Sequence, residues 1–452
     1  MNLDKFFNAK NIAIVGVSRN PNKIGHTVFR NLVDIGFKGN IFPVNPYGGE
    51  ILNKRIYTSL SKIEHKIDLA LIAVPAKFVL GVVRDCGKSK IRDIVVYAAG
   101  FKEIGEEKLE KDLYKLLKKY KINCMGVNCL GSYDSYTKLD SIFNPRHKMG
   151  RPEQGSISFI CQSGAVGAST LDMMKAKGYG IAKFISYGNA TNVDETDFLE
   201  HLGKDDNTKV ICMYIEGIKN GKKFLRVAKE VSKKKPIIVI KGGVTEAGHK
   251  AALSHTGSLA GVAEIYFGAF KQINLIKADN MEEMFDFARI LEKTVEPKGD
   301  RVQVITNGGG YGIMATDSII KNGLQMADMS KETKTELRKR FSDIITVGNP
   351  IDLVGNATAE EYGTAMEASL SDGNVDIMLV ILLFQTPMLS PNVVDIISEL
   401  NDLRKKPLII VSSGGEFTEV LKKDLEDAGV VCYNFPNNAA KSIKQLVDYY
   451  LN

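Results

Sequence analysis

Residues 12–25 of the chain read IAIVGVSRNPNKIG, an apolar run followed by a turn that contains glycine, proline and two basic residues. The run at 12–15 is short, rich in β-branched side chains and apolar throughout, which is typical of a strand buried in a parallel sheet. A helical pattern begins at about His26. A strand that passes through a glycine turn into a helix is the first half of a βαβ unit.

This alternation of short apolar runs with amphipathic stretches continues along the whole chain and predicts an α/β fold with parallel sheets. Turn-forming residues interrupt it at 128–155 and 294–299, which we interpret as domain joins. The predicted domains are therefore 1–150, with a linker from about residue 128, then 151–296 and 297–452. The predicted strands lie at 12–15, 69–74, 94–97, 156–160, 210–214, 237–240, 302–305, 376–383 and 408–411.

The composition excludes several classes of protein. With 452 residues, 44% apolar and 25% charged, the chain is long enough for two to four ordinary globular domains. The six Cys are scattered without CxxC or Cys/His pairs, so we expect no disulfide framework, no metal site and a reducing cytoplasm. The N-terminus is too polar for a signal peptide, and no apolar run is long enough to span a membrane. The net charge of +7 is spread among interleaved acids, which favours small anionic ligands over nucleic acid.

The turn after the first strand is a candidate phosphate site. A glycine turn that leads into a helix presents free backbone N–H groups and the positive end of the helix dipole. The turn is not a strict GxGxxG, and the second strand ends in Asn45-Pro46, where a nicotinamide dinucleotide site has an acid. Arg19 and Lys23 add positive charge and suit a ligand with more phosphates. A tight turn that binds nothing is the alternative.

A second strand-to-helix turn reads Cys161-Gln162-Ser163-Gly164-Ala165. It resembles the nucleophile elbow of serine hydrolases, but Cys161 and Ala165 replace the two required glycines, which excludes that chemistry. What remains is a second helix end that can hold an oxyanion or phosphate, or simply close packing of a helix on a strand.

The third loop, 241–258, carries a candidate nucleophile. Gly243 and Gly248 resemble the start of a P-loop, but His249 stands where its lysine belongs. The loop is rich in glycine and small residues, so we expect it to move, and it places His255 in a Ser-His-Thr-Gly setting. An imidazole can attack phosphorus when a carboxylate fixes its tautomer. Glu216 follows a neighbouring strand and can reach this crevice; a structural His and a solvated Glu are the alternatives.

A fourth strand-to-helix turn reads Asn307-Gly308-Gly309-Gly310-Tyr311-Gly312. Three consecutive glycines allow either a ligand or a neighbouring backbone to approach closely. The sequence leaves both possibilities open.

Taken together, these loops resemble the alpha subunit of ADP-forming acyl-CoA synthetases, typically acetyl-CoA synthetase, and more distantly that of succinyl-CoA synthetase. The resemblance covers nearly the whole chain. The motifs that carry it are Ile14-Val15-Gly16-Val17-Ser18 with Val44-Asn45-Pro46, Val127-Asn128-Cys129-Leu130-Gly131, Gln162-Ser163-Gly164-Ala165, Ser186-Tyr187-Gly188-Asn189, Tyr214-Ile215-Glu216-Gly217, Ser254-His255-Thr256-Gly257-Ser258 and Asn307-Gly308-Gly309-Gly310.

The resemblance implies a Rossmann-like CoA-binding domain followed by two flavodoxin-like ligase domains. It makes His255 the phosphorylated histidine and Glu216 its orienting carboxylate. It assigns phosphate binding to Ser163, Gly164, Ala165 and Asn128. The residues implied for CoA binding are Gly16, Ser18, Arg19, Lys23, Asn45, Pro46, Val74, Pro75, Gly100 and Glu103.

The implied reaction converts acyl-CoA, ADP and phosphate into a small carboxylic acid, CoA and ATP, reversibly, through an acyl phosphate and a phosphohistidine. In this family ADP or ATP and Mg bind a separate ATP-grasp unit, for which this chain offers no candidate. The implied partner is a beta subunit, in an alpha2-beta2 assembly, or a further part of one longer polypeptide. No redox cofactor is implied. The alternatives are a non-enzymatic CoA- or nucleotide-binding sensor and an NAD-dependent oxidoreductase.

Overall fold

The computed structural model describes residues 1–248, 250 and 263–451. The chain divides into two compact units, Met1–Ala278 and Asp279–Asn452. The first unit contains two large sheets and the second contains one. The three-domain division predicted from the sequence remains a prediction.

The first sheet of the first unit is entirely parallel. Its strand order is β2-β1-β5-β6-β7, and β3 pairs with β4 in a separate small hairpin. The strands are β1 (Asn11–Val15), β2 (Asn40–Val44), β3 (Glu50–Ile51), β4 (Lys54–Arg55), β5 (Leu69–Ile72), β6 (Asp93–Val96) and β7 (Asn123–Gly126). The helices are α1 (Lys5–Asn8), α2 (Ile24–Asp34), α3 (Ala76–Lys88) and α4 (Glu107–Tyr120), with short 3₁₀ turns at Leu60–Lys62 and Lys102–Ile104.

The second sheet has the order β14-β13-β12-β10-β11-β8-β9. Its central strands are parallel, and β8 and β9 form an antiparallel edge. The strands are β8 (Gly131–Asp134), β9 (Leu139–Asp140), β10 (Gln154–Cys161), β11 (Ile181–Ser186), β12 (Val210–Ile215), β13 (Ile237–Lys241) and β14 (Ile276–Lys277). The helices are α5 (Gly164–Ala176), α6 (Glu195–Leu202), α7 (Gly221–Ser232) and α8 (Ala263–Gln272).

The strands β8 and β9 lie inside the stretch that the sequence predicts to be a domain join. Residues 131–134 read GSYD, too polar to be recognised as a buried strand. They are nevertheless buried because hydroxyl groups satisfy the backbone: the Ser132 N–H donates to Ser141 Oγ at 2.8 Å. The predicted join therefore contains two paired strands that the sequence did not predict, and side-chain hydrogen bonding rather than an apolar pattern accounts for them.

The two sheets of the first unit share one hydrophobic cluster. It includes Leu69 and Leu71 from the first sheet and Ile160 and Ile185 from the second, all with no exposed surface. Burying apolar side chains from both sheets in one cluster gives them a common source of stability. This shared cluster is the physical reason that residues 1–278 form one unit.

The second unit is a parallel sheet with the order β16-β15-β18-β19-β20, and β17 pairs with β15. The strands are β15 (Arg301–Thr306), β16 (Gln325–Met326), β17 (Ile351–Asp352), β18 (Ile377–Ile381), β19 (Leu408–Val411) and β20 (Val431–Tyr433). The helices are α9 (Met281–Lys293), α10 (Gly309–Lys321), α11 (Lys331–Arg340), α12 (Ala359–Ser371), α13 (Val393–Asp402), α14 (Glu416–Asp427) and α15 (Pro436–Leu451).

Helix α9, which the sequence analysis assigns to the middle domain, lies in the second unit. Its Arg289 is buried and donates to Glu426 Oε1 at 2.6 Å and to the carbonyl of Cys432 at 2.9 Å. The same guanidinium contacts Asp286 at 3.2 Å. The hydrogen bonds of this buried arginine to α14 and β20 tie α9 to the second unit.

All six cysteines are buried. Burial raises the pKa of the thiols of Cys86, Cys129 and Cys432 to about 12. Among the described residues, no helix combines the length and the apolar character that crossing a membrane requires. Within the same part of the chain, no three His, Cys, Asp or Glu side chains are grouped so that they could hold a metal ion.

The buried Arg289 yields a stability prediction. Arg289→Met leaves the Glu426 and Asp286 carboxylates partly buried without their cation, which typically costs about 3 to 5 kcal/mol. We expect a lower denaturant midpoint for the unfolding of the second unit, measured by circular dichroism on the full chain. Arg340→Met, at an exposed position of the same unit, serves as the control and is expected to change little.

Candidate active site

In each sheet of the first unit the strand order reverses at one place. The reversal lies between β1 and β5 in the first sheet and between β10 and β12 in the second. At such a point the crossovers leave towards opposite faces, which opens a crevice at the carboxyl ends of the two strands. Both predicted ligand turns lie at these reversal points.

The turn after β1 requires glycine for steric reasons. Gly16 has a φ of +91°, and a Cβ there would lie 2.4 Å from the Ala73 carbonyl oxygen and 2.8 Å from Val74 Cγ1. A Cβ on Gly25 would lie 2.2 Å from the Gly16 carbonyl oxygen. The start of α2 therefore packs directly on the backbone of the turn. This close approach leaves the backbone accessible to a pyrophosphate, as in other dinucleotide-type turns.

Hydrogen bonds fix the side chains around this turn. Asn45 Nδ2 donates to the Val17 carbonyl at 2.8 Å, and Arg19 Nε donates to the Glu50 carbonyl at 3.0 Å. Ser18 Oγ accepts the N–H of Asn20 at 3.1 Å. The structure thus brings together the predicted residues of β1, β2 and β5 at one crevice. The remaining members flank it: Pro46 follows Asn45, Lys23 precedes α2 and Pro75 precedes α3.

Glu103 connects the first sheet to a loop of the second. Its carboxylate accepts the N–H groups of Gly100 and Phe101 and, at 2.7 Å, the side-chain amide of Asn189. Burial raises the pKa of Glu103, but these hydrogen bonds outweigh burial and hold the pKa below its ordinary value. Gly100, with a φ of +107°, turns the loop so that Glu103 can reach back to it. Both residues therefore organise the loop itself.

Asn128 lies against the loop that follows β11. Its backbone has a φ of +55°, and its amide Nδ2 donates to Asn189 Oδ1 at 3.4 Å. A Cβ on Gly188 would lie 2.2 Å from the Asn128 carbonyl oxygen. Asn189 therefore contacts both Asn128 and Glu103, and joins the carboxyl-end loops of the two sheets.

Ser163 begins α5 at the reversal point of the second sheet. Its Oγ accepts the N–H of Val166 at 3.4 Å, so it caps the helix. The N–H groups of Gly164 and Ala165 belong to the first turn, where a helix offers no acceptor of its own. A Cβ on Gly164 would lie 3.7 Å from Leu130 Cβ, which places the turn next to the Asn128 loop. The predicted phosphate residues thus lie in adjacent loops.

Glu216 faces this turn across the reversal point, directly after β12. The residue is only 6% exposed, and its N–H donates to Gln162 Oε1 at 2.8 Å. Its backbone carbonyl accepts a hydrogen bond from the Lys241 ammonium at 2.7 Å. A Cβ on Gly242 would lie 3.5 Å from Glu216 Cγ, so the loop after β13 leaves the sheet beside this carboxylate.

Lys241 is a buried cation next to Glu216. Its ammonium lies 5.0 Å from the centre of the Tyr266 ring, and Tyr266 Oη accepts the N–H of Ile218 at 3.3 Å. Burial lowers the pKa of the Lys241 ammonium, and the Glu216 carboxylate opposes only part of that shift. The Lys241 ammonium and the Glu216 carboxylate are therefore close enough to interact electrostatically at the carboxyl end of β13.

His255, the predicted nucleophile, lies outside the described residues. The described part of its loop begins at Gly242, beside Glu216, and Gly243 has a φ of +70°. Gln162, Lys241 and Asn189 have no individually predicted role. Gln162 and Asn189 lie within the motifs of the family resemblance, and Lys241 ends an apolar strand, which is an unusual place for a lysine.

A cavity of about 510 Å³ lies beside the Asn189 loop. The ammonium groups of Lys219 and Lys102 donate to the Asn189 carbonyl at 2.8 and 3.4 Å. Burial and the neighbouring Lys102 lower the pKa of Lys219 to about 8. The two cations therefore support the loop that joins the two sheets. The lining residues are Lys102, Glu107, Glu110, Lys111, Tyr114, Lys115, Thr191 and Lys219.

Three family models match consecutive parts of the chain. A CoA binding domain matches residues 10–134, a succinyl-CoA ligase like flavodoxin domain matches 154–291 and a Ligase-CoA domain matches 302–446. Together they define a ligase that uses CoA, in agreement with the two crevices of the first unit.

Relatives that match nearly the whole chain show which kind of CoA ligase it resembles. The chain is 39% identical to the alpha subunit of ADP-forming acetate–CoA ligase I from Pyrococcus furiosus, over 99% of this chain and 97% of that one. It is 38% identical to ADP-forming acetate–CoA ligase I from Archaeoglobus fulgidus, over 99% of this chain and 64% of the relative. The solved structure of dinucleotide-forming acetyl-coenzyme A synthetase 1 from Ca. Korarchaeum cryptofilum, in complex with phosphate and ADP, superimposes with a TM-score of 0.93 at 36% identity, covering 99% and 97% of the two chains. The chain belongs to the family of ADP-forming acyl-CoA ligases, and it corresponds to their alpha subunit.

The contact between Gly25 and Gly16 yields a second prediction. Gly25→Ala forces a methyl group against a backbone carbonyl, so we expect a loss of about 1 to 3 kcal/mol in the free energy of unfolding. Gly81→Ala in α3 is the matched control, since a Cβ there meets nothing within 4 Å. In a helix that change is expected to stabilise by about 0.5 to 1 kcal/mol. Equal effects of the two changes on urea unfolding would contradict the steric role of Gly25.

Proposed function

We propose that this chain handles the acyl-CoA and phosphoryl chemistry of a reversible, NDP-forming acyl-CoA synthetase. The net reaction converts acyl-CoA, ADP and phosphate into a carboxylic acid, CoA and ATP. One observation carries the proposal: the Ser163 helix start and Glu216 face each other at one strand-order reversal, and the loop that carries His255 leaves the sheet beside Glu216.

The crevice of the first sheet is the proposed CoA site. Its backbone turn at Gly16 accommodates a pyrophosphate, and the positive charges of Arg19 and Lys23 suit a ligand with a further phosphate. Asn45 is engaged with the Val17 carbonyl and offers no carboxylate for a ribose, which disfavours a nicotinamide dinucleotide. The other proposed contacts are Ser18, Pro46, Val74, Pro75, Gly100 and Glu103.

The proposed chemistry proceeds through three transfers. Phosphate attacks the thioester carbonyl, and the C–S bond breaks to give an acyl phosphate and CoA. A nitrogen of His255 then attacks the phosphorus, the bond to the acyl oxygen breaks, and the carboxylate leaves. Finally the phosphoryl group passes from nitrogen to ADP. The backbone N–H groups of Gly164 and Ala165, together with Ser163 and Asn128, stabilise the charge on the phosphate.

Glu216 is proposed to orient the imidazole of His255. A buried carboxylate that accepts the second ring N–H fixes the tautomer and stabilises positive charge on the ring. Two hydrogen bonds hold the backbone of Glu216 in place: its carbonyl accepts one from the Lys241 ammonium, and its N–H donates one to Gln162 Oε1. The carboxylate is therefore pre-positioned for the phosphohistidine.

The final acceptor is proposed to bind elsewhere. The described residues form parallel α/β sheets, with an antiparallel edge on the second sheet and one small hairpin. We propose that an ATP-grasp beta subunit holds ADP or ATP with Mg, in an alpha2-beta2 assembly. This chain matches only 64% of the Archaeoglobus relative, so that relative carries a further part on the same polypeptide. This extra part supports the proposal that the nucleotide-binding unit is separate from the chain described here. The proposed compartment is the cytoplasm, where small carboxylic acids and CoA occur together.

The proposed nucleophile can be tested by labelling. Incubation of the complex with acetyl-CoA and radiolabelled phosphate is expected to place acid-labile, base-stable label on the wild-type chain, and His255→Asn is expected to lose it completely. His147→Asn, at an exposed position, is the matched control and should label normally. Equal labelling of the His255 variant would exclude the mechanism, and CoA binding without label in the wild type would indicate a sensor.

The role of Glu216 gives a separate prediction. Glu216→Gln removes the negative charge that stabilises the imidazolium, so the rate of phosphohistidine formation is expected to fall by roughly 100-fold or more. The Kd for CoA should remain unchanged, because the CoA crevice is formed by the other sheet. Glu230→Gln, at a solvent-exposed ion pair, is the control. Unchanged labelling kinetics in the Glu216 variant would refute its orienting role.

A further inference from the structure

Gln162 lies between the two halves of the proposed phosphate site, directly before the helix cap Ser163 and opposite Glu216. It is only 8% exposed. Its side-chain oxygen accepts three hydrogen bonds, from the N–H of Glu216 at 2.8 Å, the N–H of Gly217 at 3.3 Å and the hydroxyl of Tyr187 at 3.3 Å.

These bonds determine which way the amide faces. Backbone N–H groups can only donate, so the atom that meets Glu216 and Gly217 must be Oε1, and the amino group Nε2 must occupy the other branch. Within residues 1–248, 250 and 263–451, no acceptor is hydrogen-bonded to Nε2. Two N–H donors are therefore available at a nearly buried position beside the start of α5.

An anion with several acceptor oxygens suits this position. The first turn of α5 contributes further N–H groups and the positive end of the helix dipole. We infer that Gln162 is a phosphate-binding residue, whose Nε2 donates to an oxygen of inorganic phosphate as it attacks the thioester and to the phosphoryl group in transit to His255. This inference rests on the proposed function of the site.

The same side chain also positions Glu216, which explains why an amide suits this place better than an acid. A carboxylate at 162 would still accept the N–H groups of Glu216 and Gly217. It would, however, replace the two donors of Nε2 with a negatively charged oxygen beside both Glu216 and the incoming phosphate. Gln thus combines an acceptor for the protein with a donor for the ligand.

Two substitutions separate the role of Gln162 in positioning Glu216 from its proposed role in binding phosphate. Gln162→Glu keeps the acceptor and loses the donor, whereas Gln162→Met loses both without adding charge. Steady-state ATP formation from acetyl-CoA, ADP and phosphate is measured on the complex with the nucleotide-binding partner, and thermal unfolding checks that each variant folds. Gln272→Glu, at an exposed position of α8, is the matched control.

We expect both variants to raise the KM for phosphate by roughly tenfold to hundredfold, the usual effect of a lost hydrogen bond to a charged group. The KM for acetyl-CoA should stay within about twofold, because CoA binds to the other sheet. A KM for phosphate that is unchanged in Gln162→Glu, with turnover lost only in Gln162→Met, would overturn the inference and leave Gln162 as an anchor for Glu216. A wild-type complex that forms no phosphohistidine would instead refute the proposed function.

Discussion

The reversal of strand order determines where the two crevices of the first unit lie. Between β10 and β12 the chain crosses to opposite faces of the sheet, so no crossover covers the carboxyl ends of these strands. The uncovered peptide groups must find partners, and Gln162 satisfies the N–H groups of Glu216 and Gly217 across the gap. The same constraint at β1 and β5 forces Gly16 against Ala73. The positions of both proposed ligand crevices thus follow from the order of the strands.

Asn189 relates the two crevices to each other. Its amide contacts Glu103, in a loop of the first sheet, and Asn128, in the loop that enters the second. The ammonium groups of Lys219 and Lys102 donate to the backbone carbonyl of Asn189. With the hydrophobic cluster shared by both sheets, this network links the proposed CoA crevice to the proposed phosphate crevice. In the proposed reaction, this link serves to bring the thioester carried by CoA to the phosphate in a constant geometry.

The sequence was informative where structure depends on local pattern. The predicted strands at 12–15, 210–214 and 408–411 are confirmed because buried parallel strands are apolar throughout, and the Ser163 turn was recognisable from its small residues. The edge strands β8 and β9 were missed because hydroxyl pairs bury a polar segment. Gln162 and Glu216, which form a hydrogen bond, are 54 residues apart in the sequence. A contact over that separation leaves no local periodicity from which it could be predicted.

The buried cysteines have a consequence for an enzyme whose product is a thiol. Exchange between CoA disulfides and protein requires a thiolate on one side. Since burial holds the pKa of Cys86, Cys129 and Cys432 near 12, these side chains stay protonated and sheltered at neutral pH. Mixed-disulfide formation between oxidised coenzyme and these three side chains is therefore disfavoured.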